Sequence, residues 1–275
     1  MHSIDVRSEL AYRVDAPSSF HFSVMADRTA RQTVRHESVR VVPELPHETI
    51  DAGPGGHRLL RLKAPPGEFR LAYAATVEVD PRVDDPARLS QVPFGELPSE
   101  VLGYLNPSRY CESDRLFGFV GRQFAGSPGG YGRVKAISDW VGKNLAYVAG
   151  TTDVSSGSAD VLLQRAGVCR DFAHVAISLC RASGVPARYV SGYGVGVEPQ
   201  DFHGFFEAFL DGDWYLFDPT GMAPATGLVR IGTGRDAADT PFASFVGSAA
   251  LLRKQVSVDG SRGPAAPPTG ATSTA

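Results

Sequence analysis

Cysteine is scarce in this chain: three thiols, Cys111, Cys169 and Cys180, in 275 residues. So few and so scattered, they exclude a disulfide framework, and an odd count reads as reduced thiols. No Cys-x-x-Cys pair is present, which argues against a structural zinc site. Basic excess is missing as well. Lys and Arg number 27 against 30 Asp and Glu, a formal net charge of −3. A phosphate-tracking surface needs the opposite balance, so nucleic acid is excluded as a partner. No apolar run approaches the ~18–20 residues of a membrane span, so no membrane partner is expected. The opening Met1-His2-Ser3-Ile4-Asp5 lacks the basic and apolar regions of a secretory signal, so the expected location is cytoplasmic. What remains is an ordinary globular mixture, 43% apolar and 21% charged, long enough for one large or two modest domains. Collagen, coiled coil and disordered chain are excluded by that composition.

Residues 1–80 read as β structure. Glu9–Val14, Val39–Val42 and Arg70–Val79 are strand-like runs separated by Pro and Gly punctuation such as 51–56. Short strands at this spacing predict an antiparallel sandwich or barrel. Residues 81–109 carry Pro81, Pro86, Pro93 and Pro98 with little periodicity and are expected to be a linker or crossing segment. Composition then shifts over a core expected at 110–255. From Gly132, the spacing of Val134, Ile137, Val141 and Leu145 predicts an amphipathic helix. Residues 170–182 predict a second helix, apolar on most sides and therefore central and buried, ended by Gly184 and Pro186. Strands follow at 187–193, 204–210 and 214–217. The segment 256–275 is expected to be a disordered tail, because from about Gly260 it is Pro, Ala, Gly, Ser and Thr without apolar periodicity. No internal repeat is found.

Three elements carry chemistry. Cys169 precedes or opens the buried helix, where free N–H groups and the positive end of the helix dipole favour thiolate over thiol. Taken alone, a cysteine is more often a small buried hydrophobe, and Cys180, mid-helix, fits that reading. Cys169, His174 and Cys180 do not make a metal site. At 100° per residue His174 lies about 140° around the helix from Cys169, and Cys180 lies ~16 Å along the axis. Three ligands so placed cannot share an ion at ~2.0–2.3 Å. By the same geometry His174 is a poor base for Cys169. His203 and Asp218 fare better. Asp211-Gly212 is a strong two-residue hairpin signal. Pairing Leu210 with Asp213 across it sets Phe205 opposite Asp218 and His203 opposite Thr220. His203 and Asp218 then fall diagonally on one sheet face, about 7–8 Å apart at Cβ or somewhat less. Singly they read as an edge histidine and a turn aspartate. Jointly with a helix-start cysteine they form a nucleophile–base–orienter constellation.

This ordered set resembles the transglutaminase-like superfamily of cysteine enzymes. The match is carried by 165–174 (Arg-Ala-Gly-Val-Cys-Arg-Asp-Phe-Ala-His), by 181–193, by His203 to Glu207 and by Trp214 to Thr220. Four blocks occur in the family's order and rough spacing across about 110–220, and the N-terminal β region looks like the β domain that precedes this core in many bacterial members. The resemblance implies an α+β, papain-like core, in which a central nucleophile-bearing helix packs on an antiparallel sheet, preceded by a sandwich-like β domain. Carried over residue by residue, Cys169 matches the nucleophile, His203 the base and Asp218 the orienter. The Cys169 backbone N–H would supply one oxyanion donor, with Gln164, Tyr147 and Trp140 as open candidates for a second.

Departures matter. Arg170 follows the cysteine where animal transglutaminases carry Trp, and Gly204-Phe205 follows the histidine where many members have Ala-Trp. The chain is too short for the animal enzymes' extra barrels and shows no acidic calcium loop. The expected activity is therefore thiol-dependent hydrolysis of a peptide or protein amide, without cofactor or metal. The rivals are transamidation or deamidation of glutamine side chains, acyl transfer to a small molecule, and a catalytically idle binding module on the same fold.

Overall fold

The computed structural model describes residues 1–51, 57–260 and 270–275. Period-2 patterning dominates its first part. In β1 (His2–Phe22), Ile4, Val6, Leu10, Tyr12 and Val14 point inward at alternate positions. The next strands are β2 (Gln32–Val42), β3 (His47–Asp51), β4 (Arg58–Ala64) and β5 (Gly67–Val79). All pairings are antiparallel, in the order β2-β5-β1-β4-β3. β1 changes partner midway. It pairs β5 as far as Val14 and β4 from Ser18, with Pro17, which has no N–H for a ladder, between them. The two halves close over one core in which Tyr12, Phe20, Phe22 and Phe69 meet ring to ring at 5.2–6.3 Å. The sequence pattern of 51–56 falls largely outside the described residues.

The Pro-containing stretch is a packed crossing rather than a free linker. It holds β6 (Arg82–Asp84) and α1 (Ser99–Leu102), and buries Leu89, Leu97 and Val101. Beyond it come α2 (Phe117–Gln123), α3 (Tyr131–Asn144), β7 (Ala146–Tyr147), α4 (Ser158–Gln164), β8 (Ala166–Gly167) and α5 (Cys169–Ala182). The strands β9 (Ala187–Gly194), β10 (Phe202–Leu210), β11 (Asp213–Phe217) and β12 (Leu228–Gly234) form an antiparallel sheet in the order β11-β10-β9-β12. Helix α5 is buried from Asp171 to Arg181. It packs between α3, through Val134, Ile137 and Val141, and the sheet, through Phe206, Ala208 and Leu210. Gly184, at φ +78°, ends it, and the Val185 N–H bonds the Cys180 carbonyl. No described helix is long and apolar enough to cross a membrane.

Two expectations are corrected at the C-terminal end. Residues 243–260 do not stay with the core. They form β13 (Ala243–Gly260), which pairs the whole second edge of β1. A 21-residue strand with one edge already taken leaves a long row of unpaired N–H and C=O groups, and β13 satisfies them. Nor is the tail free where it is described. β14 (Ala271–Ser273) pairs β6, Ala271 is fully buried, and the Thr274 hydroxyl accepts from Arg230. Small side chains allow this segment to fit a narrow seam. The expected disorder over 261–269 lies outside the described residues.

The seam between the β region and the core is polar as well as apolar. Tyr193 donates to the Val24 carbonyl at 2.6 Å, and Gln32 exchanges side-chain bonds with the Arg230 backbone. Nearby, Glu207 is fully buried between Arg188 and Arg230. Burial pushes its carboxyl up, but the two guanidiniums outweigh burial and hold it at about 2. Its stabilisation is thus present above the ordinary glutamate range and lost as pH falls toward 2. Glu207→Gln strands two largely buried cations and is expected to cost about 3–5 kcal/mol in urea unfolding at neutral pH. A loss below 1 kcal/mol would refute the ion-pair account.

Candidate active site

The Asp211-Gly212 turn has both central residues at positive φ, +50° and +88°, as a type I′ hairpin requires. Leu210 pairs with Asp213 and Phe206 with Phe217, the register expected from the sequence. That register carries His203 to Asp218. The His203 Nε2 lies 3.0 Å from an Asp218 carboxylate oxygen, and both side chains are almost fully buried. Asp218 is itself held in place. It accepts from the Thr220 N–H and hydroxyl and from the Ala223 N–H at 2.6–3.0 Å. The Asp218-Pro219-Thr220 turn therefore aims the carboxylate, and Asp218 fixes which histidine nitrogen is committed.

Cys169 opens α5, with its Sγ 4.0 Å from the carbonyl oxygen of Phe202, the residue before His203. The other ring nitrogen, Nδ1, is buried without a hydrogen-bond partner among the described residues. Burial works to raise the thiol's pKa. The His203 hydrogen bond and charge, the Gly204 N–H and the Tyr147 hydroxyl outweigh it, so the net direction is down. His203 shifts the opposite way. Burial would lower it, but Asp218 and Cys169 raise it to about 10. Asp218 sits below the ordinary carboxylate range, because His203, Thr220 and the Ala223 N–H outweigh burial. The thiol is thus shifted down and the imidazole up, while Asp218 stays ionised behind the ring.

Tyr147 completes the surroundings. The parallel ladder of β7 and β8 sets Tyr147 beside Gly167, and the Val148 N–H bonds the Gly167 carbonyl at 2.9 Å. Burial and the neighbouring Cys169 raise the Tyr147 pKa above the ordinary phenol value. Of the three open candidates for a second donor, this is the one set beside the start of α5, its ring 5.8 Å from that of Phe172. Gln164 is exposed at the end of α4, and Trp140 packs on Phe119 and Phe124. Sequence reasoning had no way to choose, because the β7–β8 contact joins segments twenty residues apart through backbone atoms alone. The Gly204 N–H and the Thr220 hydroxyl were also missed; Thr220 lay within the quoted motif without a role.

The other thiols and His174 stand apart. Burial pushes Cys111 up to about 12 and raises Cys180 further. His174 accepts from the Ala237 N–H at 3.1 Å and stacks on Tyr110 at 5.1 Å. Burial lowers it to about 4, so it is neutral and committed behind the helix. Among the described residues no group of three or more His, Cys, Asp or Glu side chains is placed to hold a metal ion.

A helix opened by Cys169 and a sheet-borne His203–Asp218 pair, on an α+β core behind a β region, define the class of fold. Comparison with known proteins makes the class specific. Residues 119–219 match the transglutaminase-like superfamily core, and residues 2–100 match the bacterial transglutaminase N-terminal domain. A crystal structure from Cytophaga hutchinsonii, described as a proposed cysteine protease, is 39% identical with a TM-score of 0.93, covering 97% of this chain and 93% of that one. An uncharacterized Mycobacterium leprae protein is 31% identical over 245 residues, 83% of this chain and 86% of its own. An uncharacterized Mycobacterium tuberculosis protein matches at 34% over 115 residues, 36% of each chain. The chain belongs to the transglutaminase-like superfamily and has its fold, with an antiparallel sheet and an N-terminal, mostly β region.

Proposed function

We propose that this protein is a thiol-dependent amide hydrolase or acyl transferase acting on peptide or protein amides. The Cys169 thiolate attacks the carbonyl carbon, and its electrons move onto the carbonyl oxygen. The Cys169 N–H and the Tyr147 hydroxyl are the donors this reading assigns to that charge. His203 gives its proton to the leaving amine as the C–N bond breaks, leaving a thioester on Cys169. Water then attacks the thioester, with His203 taking the water's proton, and the acid and the thiol are regenerated; an amine in place of water gives transamidation instead. Asp218 holds the ring and supports its positive charge in each step. The observation that carries this reading is the buried His203–Asp218 pair, 3.0 Å between imidazole and carboxylate, on the sheet against which the Cys169-bearing helix packs.

Selective labelling tests it. Iodoacetamide at pH 6, followed by mass-spectrometric mapping, is expected to modify Cys169 and leave Cys111 and Cys180 untouched. Labelling of Cys169 no faster than of free cysteine at the same pH would overturn the proposal.

A second measurement probes Tyr147. With p-nitrophenyl acetate, acyl transfer to Cys169 releases p-nitrophenolate in a burst. Tyr147→Phe keeps the ring contact with Phe172 and removes the donor. Its burst rate is expected to fall about 10²-fold, the usual loss for one oxyanion donor. An unchanged burst rate would remove Tyr147 from the mechanism.

A further inference from the structure

The first turn of α5 contains a fully buried carboxylate that the chemistry above does not use. Asp171 has no exposed surface. One of its oxygens accepts from the Thr152 hydroxyl at 2.5 Å and the Val168 N–H at 2.9 Å. The other accepts from the Arg170 guanidinium at 3.1 Å, which also donates to the Asp153 carbonyl at 3.0 Å. A helix-capping carboxylate needs only the Val168 contact. The remaining bonds reach outward to two consecutive residues of the loop that follows Tyr147.

That loop needs a tether. Val148 to Thr151 are exposed, and Gly150 turns the chain at φ +81°. With so little buried surface, its position rests on hydrogen bonds. At its start it is held by the β7–β8 ladder. At its end it is held by Thr152 and Asp153, on Asp171 and Arg170. Tyr147 sits at the near end of this span. Gly167 shows how closely the parts fit, since a Cβ there would lie 2.7 Å from the Asp171 side chain.

We propose that Asp171 is a positioning residue: with Thr152 it anchors the loop 148–153 so that the Tyr147 hydroxyl and the Cys169 amide converge on one point, where a substrate carbonyl oxygen takes up charge. The catalytic part of this inference rests on the acyl-transfer reading. The anchoring part does not. Asp171 acts through Tyr147 and touches no reacting atom.

Thr152→Val tests it with little risk to folding, and Asp171→Asn is the stronger companion. Two readouts are used on the full chain. Amide hydrogen exchange over 146–152 is expected to speed up about tenfold in Thr152→Val, with α5 unchanged. Equal exchange in wild type and variant would overturn the tether whatever the chemistry. The p-nitrophenyl acetate burst is expected to slow about tenfold, while the pH profile of Cys169 alkylation stays in place. In a Tyr147→Phe background, Thr152→Val is expected to have no further effect on the burst. A full tenfold loss in that background, or a shifted alkylation profile, would show that Thr152 and Asp171 act on the Cys–His pair or on general stability, and would overturn the positioning role. If wild-type protein gives no burst, the acyl-transfer reading fails with the catalytic part of the inference, and exchange still decides the tether.

Discussion

Cys169→Ala is expected to abolish the p-nitrophenolate burst and to reduce amide turnover by about 10⁴-fold or more, the scale on which losing a nucleophile abolishes covalent catalysis. No other thiol can substitute. Cys111 and Cys180 are buried, and burial drives both away from the thiolate form. Cys169→Ser is expected to be nearly as inactive. The site favours a group that ionises beside an imidazole, and a hydroxyl at this position stays protonated. Folding is expected to survive, because Cys169 is partly exposed at a helix start and contributes little packing. The urea midpoint should move by less than about 1 kcal/mol in free-energy terms. Residual burst in Cys169→Ala above one-tenth of wild type would mean that another group carries the acyl chain.

How much of this was legible in the sequence depends on the range of the interaction involved. Local signals were reliable. Asp211-Gly212 fixed a register, and the register alone carried His203 to Asp218. The apolar stripes and the Gly184–Pro186 stop predicted a central helix, and α5 is buried along most of its length. Interactions joining distant backbone segments left no local trace. The β7–β8 ladder sets Tyr147, and not Gln164 or Trp140, beside the start of α5 through N–H and C=O groups that every residue has. The return of β13 to the N-terminal sheet is equally silent. Much of that strand is exposed, so it shows alternation only near Val256 and Val258. Its placement is dictated by the free edge of β1, more than 200 residues earlier. The tail misled for a related reason. Low apolar periodicity is a sound sign of disorder in a free segment, but Ala271 to Ser273 gain their order from β6 and the seam they fill.

The other large effect is on pH dependence, where the signs of the shifts can be worked through. The imidazole favours the Cys169 thiolate, so its pKa falls below the ordinary thiol value. The thiolate and Asp218 favour imidazolium, so the His203 pKa rises to about 10. On the proposed mechanism the site carries a thiolate–imidazolium pair at neutral pH. Alkylation of Cys169 should therefore rise at a pH well below 8.5, where a free thiol is mostly protonated, and run flat through neutrality. Acyl transfer also needs the imidazolium proton for the leaving group, so the steps that use it should decline as His203 deprotonates near pH 10. His203→Ala removes the imidazole, which does most to offset burial at the Cys169 thiol. The Cys169 pKa is then expected to climb above the free-thiol value, and the alkylation rate at pH 6 to fall about 10²-fold or more, since each unit of pKa is a factor of ten in thiolate. Asp218→Asn keeps the shape but removes the charge behind the ring. It should lower the His203 pKa and draw in the alkaline limb while leaving Cys169 alkylable. Alkylation profiles between pH 4 and 11 for the three proteins decide the matter. A wild-type midpoint near 8.5 that stays put in His203→Ala would mean that thiol and imidazole titrate independently, and the pair would then be a packing contact with no part in making a nucleophile.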